Sequence, residues 1–116
     1  MNAYQANQIE QLQQTLTQWE GSQVLIEKDE VNDRDRVTIN LQQSIIHDRA
    51  RSIDDYVSSL SIQLQGTGTI TTDNASTAPL PYDRYEIAVN QVKSTTIGAN
   101  EIHLETDRGH YTLTRS

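Results

Sequence analysis

Between Glu101 and Ser116 the chain reads EIHLETDRGHYTLTRS, with apolar and polar residues alternating on both sides of Arg108-Gly109. A period of two belongs to a strand with one face buried, so the segment 101–115 is expected to fold as a β-hairpin. A two-residue turn at Arg108-Gly109, the glycine supplying a positive φ, sets Thr106 opposite Tyr111, Leu104 opposite Leu113 and Ile102 opposite Arg115. Ile102, Leu104, Tyr111 and Leu113 then share one face. His103, Glu105, Asp107, His110, Thr112 and Thr114 share the other.

The same alternation recurs upstream. Val37, Ile39, Leu41 and Ile45 lie on one parity and predict a half-buried strand of about nine residues. Tyr56, Leu60, Ile62, Leu64 and Ile70 share another, with Gly66 and Gly68 on the same inward side. Two missing side chains there imply a bend in the sheet or a close approach by a helix. Ile53, Tyr56, Val57 and Leu60 also fit a helical turn; a strand from about Tyr56 is preferred because the helical match stops at Leu60. Tyr85, Ile87 and Val89 give a further strand, and the consecutive Val24, Leu25 and Ile26 a strand over Ser22–Lys28 buried on both faces or beneath a helix. Segments 47–55, 71–81 and 95–100 read as connections, 71–81 being the longest and the candidate for a mobile loop.

Helical period occurs once, over residues 4–20, where Ile9, Leu12, Leu16 and Trp19 recur at three- and four-residue steps before Gly21. One apolar residue per turn does not hold an isolated helix in water, so the stripe must pack on a sheet or on a second copy of itself. The expected fold is therefore α+β: one domain over 1–116, with an N-terminal amphipathic helix on a mostly antiparallel, curved or barrel-like sheet of six to seven strands.

Composition limits the partners. The 116 residues are 34% hydrophobic and contain no Phe, which makes a thin core that self-association would stabilise. A net charge of −7 opposes binding to nucleic acid or an anionic membrane. The absence of Cys removes disulfides, thiolate catalysis and Cys-ligated zinc. No signal-peptide core or membrane-length apolar run is evident, and a soluble, cytoplasmic protein is expected.

Motifs for chemistry are few. DEVNDRD at 29–35 resembles a calcium loop only loosely, since Val31, Arg34 and Asn40 stand where an EF-hand needs a ligand, a glycine and a bidentate Glu. The turn register places His103 and His110 about four residues, or roughly 13 Å, apart along the sheet, too far for one metal ion, so no metal site and no cofactor are expected. No GxSxG elbow or SxxK pair is present, GTGT lacks the third glycine and helix of a dinucleotide fingerprint, and Asn74-Ala75-Ser76 without a signal sequence is not expected to be glycosylated.

Two functions remain. The favoured one is a non-catalytic binding or assembly module that pairs with a protein partner or itself, or holds a small polar ligand between helix and sheet. Its candidate binding residues are Arg49, Arg51, Tyr82 and Arg84, which would form a mixed-charge rim if their loops meet. The alternative is a small hydrolase or isomerase using His110 or His103 with neighbouring carboxylates, Asp107 or Glu105 orienting the His110 ring.

Overall fold

The computed structural model describes residues 3–31, 33–49, 59–72, 76–89 and 91–116. Helix α1 (Ala3–Gln18) is followed by β1 (Gln23–Glu30), β2 (Asp33–Asn40), β3 (Gln43–Arg49), β4 (Ser59–Gln65), β5 (Gly68–Thr71), β6 (Thr77–Pro79), β7 (Arg84–Val89), β8 (Val92–Ile97), β9 (Glu101–Thr106) and β10 (Gly109–Arg115). One sheet has seven strands in the order β6-β5-β2-β1-β10-β9-β8, and a second has three, β3-β4-β7. Every pairing is antiparallel. The expected α+β architecture holds, with the chain dividing its strands between two sheets rather than closing a barrel.

The inward rows are those the alternation marks. Val24, Ile26, Val37, Ile39, Ile102, Leu104, Tyr111 and Leu113 of the larger sheet meet Leu60, Ile62, Leu64, Ile87 and Val89 of the smaller one. Leu12 and Leu16 of α1, with Trp19 just past its end, enter the same core, and Ile9 is partly buried against it. Burial of each large side chain is worth roughly 1.5–3 kcal/mol, so α1 is held by its three buried anchors. The helix packs against β3 and β8, filling the seam between the two sheets. The Trp19 indole N–H donates to the Ala99 carbonyl at 3.1 Å, tying the helix end to the β8–β9 connection.

Several boundaries differ from the sequence pattern. The run from Val37 to Ile45 is not one strand: β2 stops at Asn40, and the chain crosses to the smaller sheet through Leu41 and Gln42. Ladder bonds from Asn40 N–H to Thr67 and from Gln42 N–H to Gln65 guide that crossing. The crossing reverses the parity, so Ser44 is buried and Ile46 packs on the core in place of Ile45. Residues 47–49 extend β3, paired to β4, instead of starting a loop; Tyr56 and residues 50–58 lie outside the described part. Within 71–81, Thr77–Pro79 forms an edge strand and Leu80 is buried. Residues 95–97 belong to β8, a Thr-rich edge strand whose half-buried side chains give a weak alternation.

Gly66 and Gly68 mark the bend between β4 and β5, as their spacing implies. The backbone of β2, not the helix, comes close: a Cβ at Gly66 (φ +154°) would collide with the Asn40 carbonyl, and one at Gly68 with that of Thr38.

The C-terminal hairpin keeps the expected faces but not the expected partners. His110 pairs with Glu105, Tyr111 with Leu104, Thr112 with His103 and Leu113 with Ile102, so the turn is Asp107-Arg108 and the ladder is shifted by two residues. The Thr106 hydroxyl accepts from the N–H groups of Arg108 and Gly109 at 3.1 and 3.2 Å and donates to the Gly109 carbonyl at 3.0 Å. Gly109 (φ +149°) lies against β1, where a Cβ would strike the Asp29 carbonyl. A glycine is therefore required for the approach to β1.

Candidate functional site

On the outer face of the larger sheet the register builds a polar row across four strands. Arg34 of β2 faces Asp29 of β1, Asp29 faces His110 of β10, and His110 faces Glu105 of β9. The next row holds Arg36, Glu27, Thr112 and His103. Arg34 Nε lies 3.2 Å from Asp29 Oδ1, and Arg36 Nη2 lies 3.3 Å from Glu27 Oε2. Both pairs are largely exposed, and such pairs contribute roughly 0–1 kcal/mol to stability, so they open at little cost to another charged group.

Grooves flank the first row on both sides. One, of about 530 Å³, is lined by Glu27, Asp29, Arg34, Arg36, Thr71, Thr72, His110 and Thr112, with Lys28 and Asp35 also reaching it. The other, of about 480 Å³, runs past Glu30, Val31, Lys93, Glu105, Asp107 and Arg108. Asp29, Arg34 and His110 border both.

The inner face at the same end of the sheet is also polar. Inward parity in β1 runs Val24, Ile26, Lys28, Glu30, and in β2 it runs Ile39, Val37, Asp35, Asp33, so the last two positions of each apolar row are ionisable. Lys28 Nζ sits 2.9 Å from Asp33 and 3.0 Å from Asp35, its side chain 16% exposed. Burial opposes the Lys28 charge, but the hydrogen bonds to Asp33 and Asp35 outweigh it and hold the ammonium above the ordinary Lys range. Tyr85 of β7, raised chiefly by burial to about 12, faces this cluster. The Tyr111 hydroxyl donates to Glu30 Oε2 at 2.5 Å; burial first, then this bond, raises its pKa as well. The signal for this cluster was parity: within 29–35, the stretch that resembles a calcium loop only loosely, Glu30, Asp33 and Asp35 hold inward positions.

The residues singled out from the sequence are dispersed. Arg49 pairs with Ser59 at one end of the smaller sheet, whereas Arg84 pairs with Gln65 at the other. Six residue steps along β4 separate those ends, roughly 20 Å at the usual rise, so Arg49 does not join Tyr82 and Arg84 in one rim. Arg51 lies outside the described residues. Tyr82 is 92% exposed on the 3-10 turn Pro81–Asp83, where it and Asp83 both have positive φ (57° and 52°).

In the hairpin, His110 is exposed opposite Glu105, and its ring makes no hydrogen bond among the described residues. The Asp107 carboxylate accepts from the Gln91 N–H at 2.9 Å. His103 is 2.6 Å from Glu101. Because the ladder is shifted, His103 and His110 are diagonal neighbours, about 7–8 Å apart, and the distance that argued against a shared ion is lost. Among the described residues no group of three or more His, Asp or Glu is arranged to hold a metal.

A family model described as YmzB-like protein matches residues 5–116. The chain belongs to the YmzB-like family. It is 31% identical over 115 residues to "Uncharacterized protein YmzB" of Bacillus subtilis (strain 168), covering 84% of this chain and 90% of that protein. No solved structure matches it. Among the described residues no helix is long and apolar enough to cross a membrane. Kinship within the YmzB-like family thus runs from within the helix to β10.

Proposed function

We propose that the protein is a non-catalytic binding module that takes a small polar ligand carrying both charge signs on the outer face of its larger sheet. The observation that carries this reading is the row Arg34-Asp29-His110-Glu105, set between grooves of about 530 and 480 Å³. Strand register fixes the spacing of these groups, and the exposed ion pairs can exchange partners with a ligand's carboxylate and ammonium. Against catalysis stand the exposed His110, with no hydrogen bond to orient its ring, and the engagement of the Asp107 carboxylate by Gln91. The net charge of −7 supports a ligand other than nucleic acid. A Cys-free chain needs no oxidising compartment, in keeping with a cytoplasmic place.

The test is a thermal-shift screen with amino acids, dicarboxylates, amino sugars and sugar phosphates, followed by amide chemical-shift mapping of each hit. A zwitterionic compound is expected to raise the melting temperature, to shift amides of β1, β2 and β10, and to lose its effect in Arg36→Ala/His110→Ala. Hits that map to the Tyr82 turn, or that bind the double variant equally well, would place binding elsewhere.

A further inference from the structure

An antiparallel sheet leaves a row of backbone groups at each edge, and these invite a strand from another chain unless something blocks them. The two sheets have four edges. Strand β6 is three residues long and ends in Pro79. Strand β8 carries a bulge between Val92 and Ser94 with Lys93 at the irregularity. Strand β7 has Glu86 near its middle, so pairing with a second β7 centred there would set two carboxylates face to face. The fourth, β3, reads Gln43-Ser44-Ile45-Ile46-His47 over its first five residues, with no Pro, Lys, carboxylate or bulge. Such a charge-poor, Ile-containing segment is prone to strand addition.

The side chains of α1 meet that edge as a neighbouring strand would. Gln13 Oε1 accepts from the Ile46 N–H at 3.0 Å while its Nε2 donates to the Ser44 carbonyl at 3.3 Å. At the helix end, Glu20 Oε2 accepts from the Ser44 N–H at 2.9 Å and from the Ser44 hydroxyl at 3.2 Å. Two side chains thus satisfy three backbone groups of the edge that, among the described residues, lacks a block of its own.

We infer that β3 is a strand-pairing surface held shut by α1, and that its partner when the helix lifts is β3 of a second copy of this chain. A two-fold pairing centred on Ile46 sets Ile46 against Ile46 and Ser44 against Asp48, with no like charges opposed. It would join the two three-stranded sheets into one of six. Gln13 and Glu20 are the latch, and the closed form is the monomer.

Light scattering and analytical ultracentrifugation on the full chain test this. The wild type is expected to remain monomeric, Gln13→Ala/Glu20→Ala to double its mass as concentration rises, and addition of Ile45→Lys to restore the monomer. A folded latch variant that stays monomeric, or one whose dimer survives Ile45→Lys, overturns the inference. Should the latch variant fail to fold, hydrogen exchange on the wild type decides. The Ser44 and Ile46 amides are expected to exchange at least tenfold faster than the β4 amides paired to β7, in step with those of α1. Exchange of all of them at one global rate would show that the helix does not lift, and would overturn the inference equally.

Discussion

Lys28, Glu30, Asp33 and Asp35 occupy positions that the alternation of β1 and β2 would otherwise give to core side chains. Their charges are tolerated because Lys28 is held between two carboxylates and Glu30 accepts from Tyr111. Lys28→Met should therefore destabilise the fold by about 2 kcal/mol in denaturant titration, below the 3–5 expected for a fully buried pair because Asp33 is half exposed. The pH dependence has a definite sign. The folded state keeps Tyr85 protonated up to about 12, whereas an unfolded Tyr loses its proton near 10; the folded Lys28 likewise keeps its proton above the ordinary 10.5. Stability from both is full below pH 10 and is lost as pH rises beyond it. The melting temperature is expected to hold to about pH 10 and then fall, less steeply in Tyr85→Phe. A second residue-scale effect concerns Tyr82, whose positive φ costs roughly 1 kcal/mol or more. Tyr82→Asn, better suited to that region, should raise stability by about 0.5–1 kcal/mol in the same assay.

At the scale of elements, faces were legible and registers were not. A shift of two residues leaves every side chain on its own face, so the alternation of Ile102, Leu104, Tyr111 and Leu113 could not distinguish the Arg108-Gly109 turn from the Asp107-Arg108 turn that forms. What selects the latter is the Thr106 hydroxyl bonding across the turn and the need for Gly109 beside β1. Neither contact is written in periodicity. The crossing at Leu41-Gln42 was hidden for a similar reason, since the apolar positions continue through it while the chain changes sheets. Single substitutions separate the two faces of the hairpin. Leu104→Asp is expected to abolish cooperative unfolding, whereas His110→Ala should shift the melting temperature by less than about 2 °C, a surface-sized effect. Gly66→Ala should cost at least about 2 kcal/mol, because the collision with the Asn40 carbonyl adds to an unfavourable φ.

For the molecule as a whole, the α+β class and nearly the entire core followed from one helical stripe and a few alternating rows. The candidate site did not follow, because it depends on which strands are neighbours: Arg34, Asp29, His110 and Glu105 come from four strands that only the order β2-β1-β10-β9 brings together. Leu12, Leu16 and Trp19 are used up within the protein's own core, and the large apolar side chains left exposed among the described residues are Val31 and Tyr82. The strand order has a temporal side as well. β1 is among the first strands synthesised, yet one of its two partners is β10, Ile26 lying opposite Leu113. A nascent chain that has emerged only as far as β8 holds β1 as a half-paired edge, with Val24 and Ile26 without their neighbours in β10. Folding of this protein should therefore wait until β10 has been made, proceed slowly for its size as non-local sheets do, and depend on whatever shields that edge during translation.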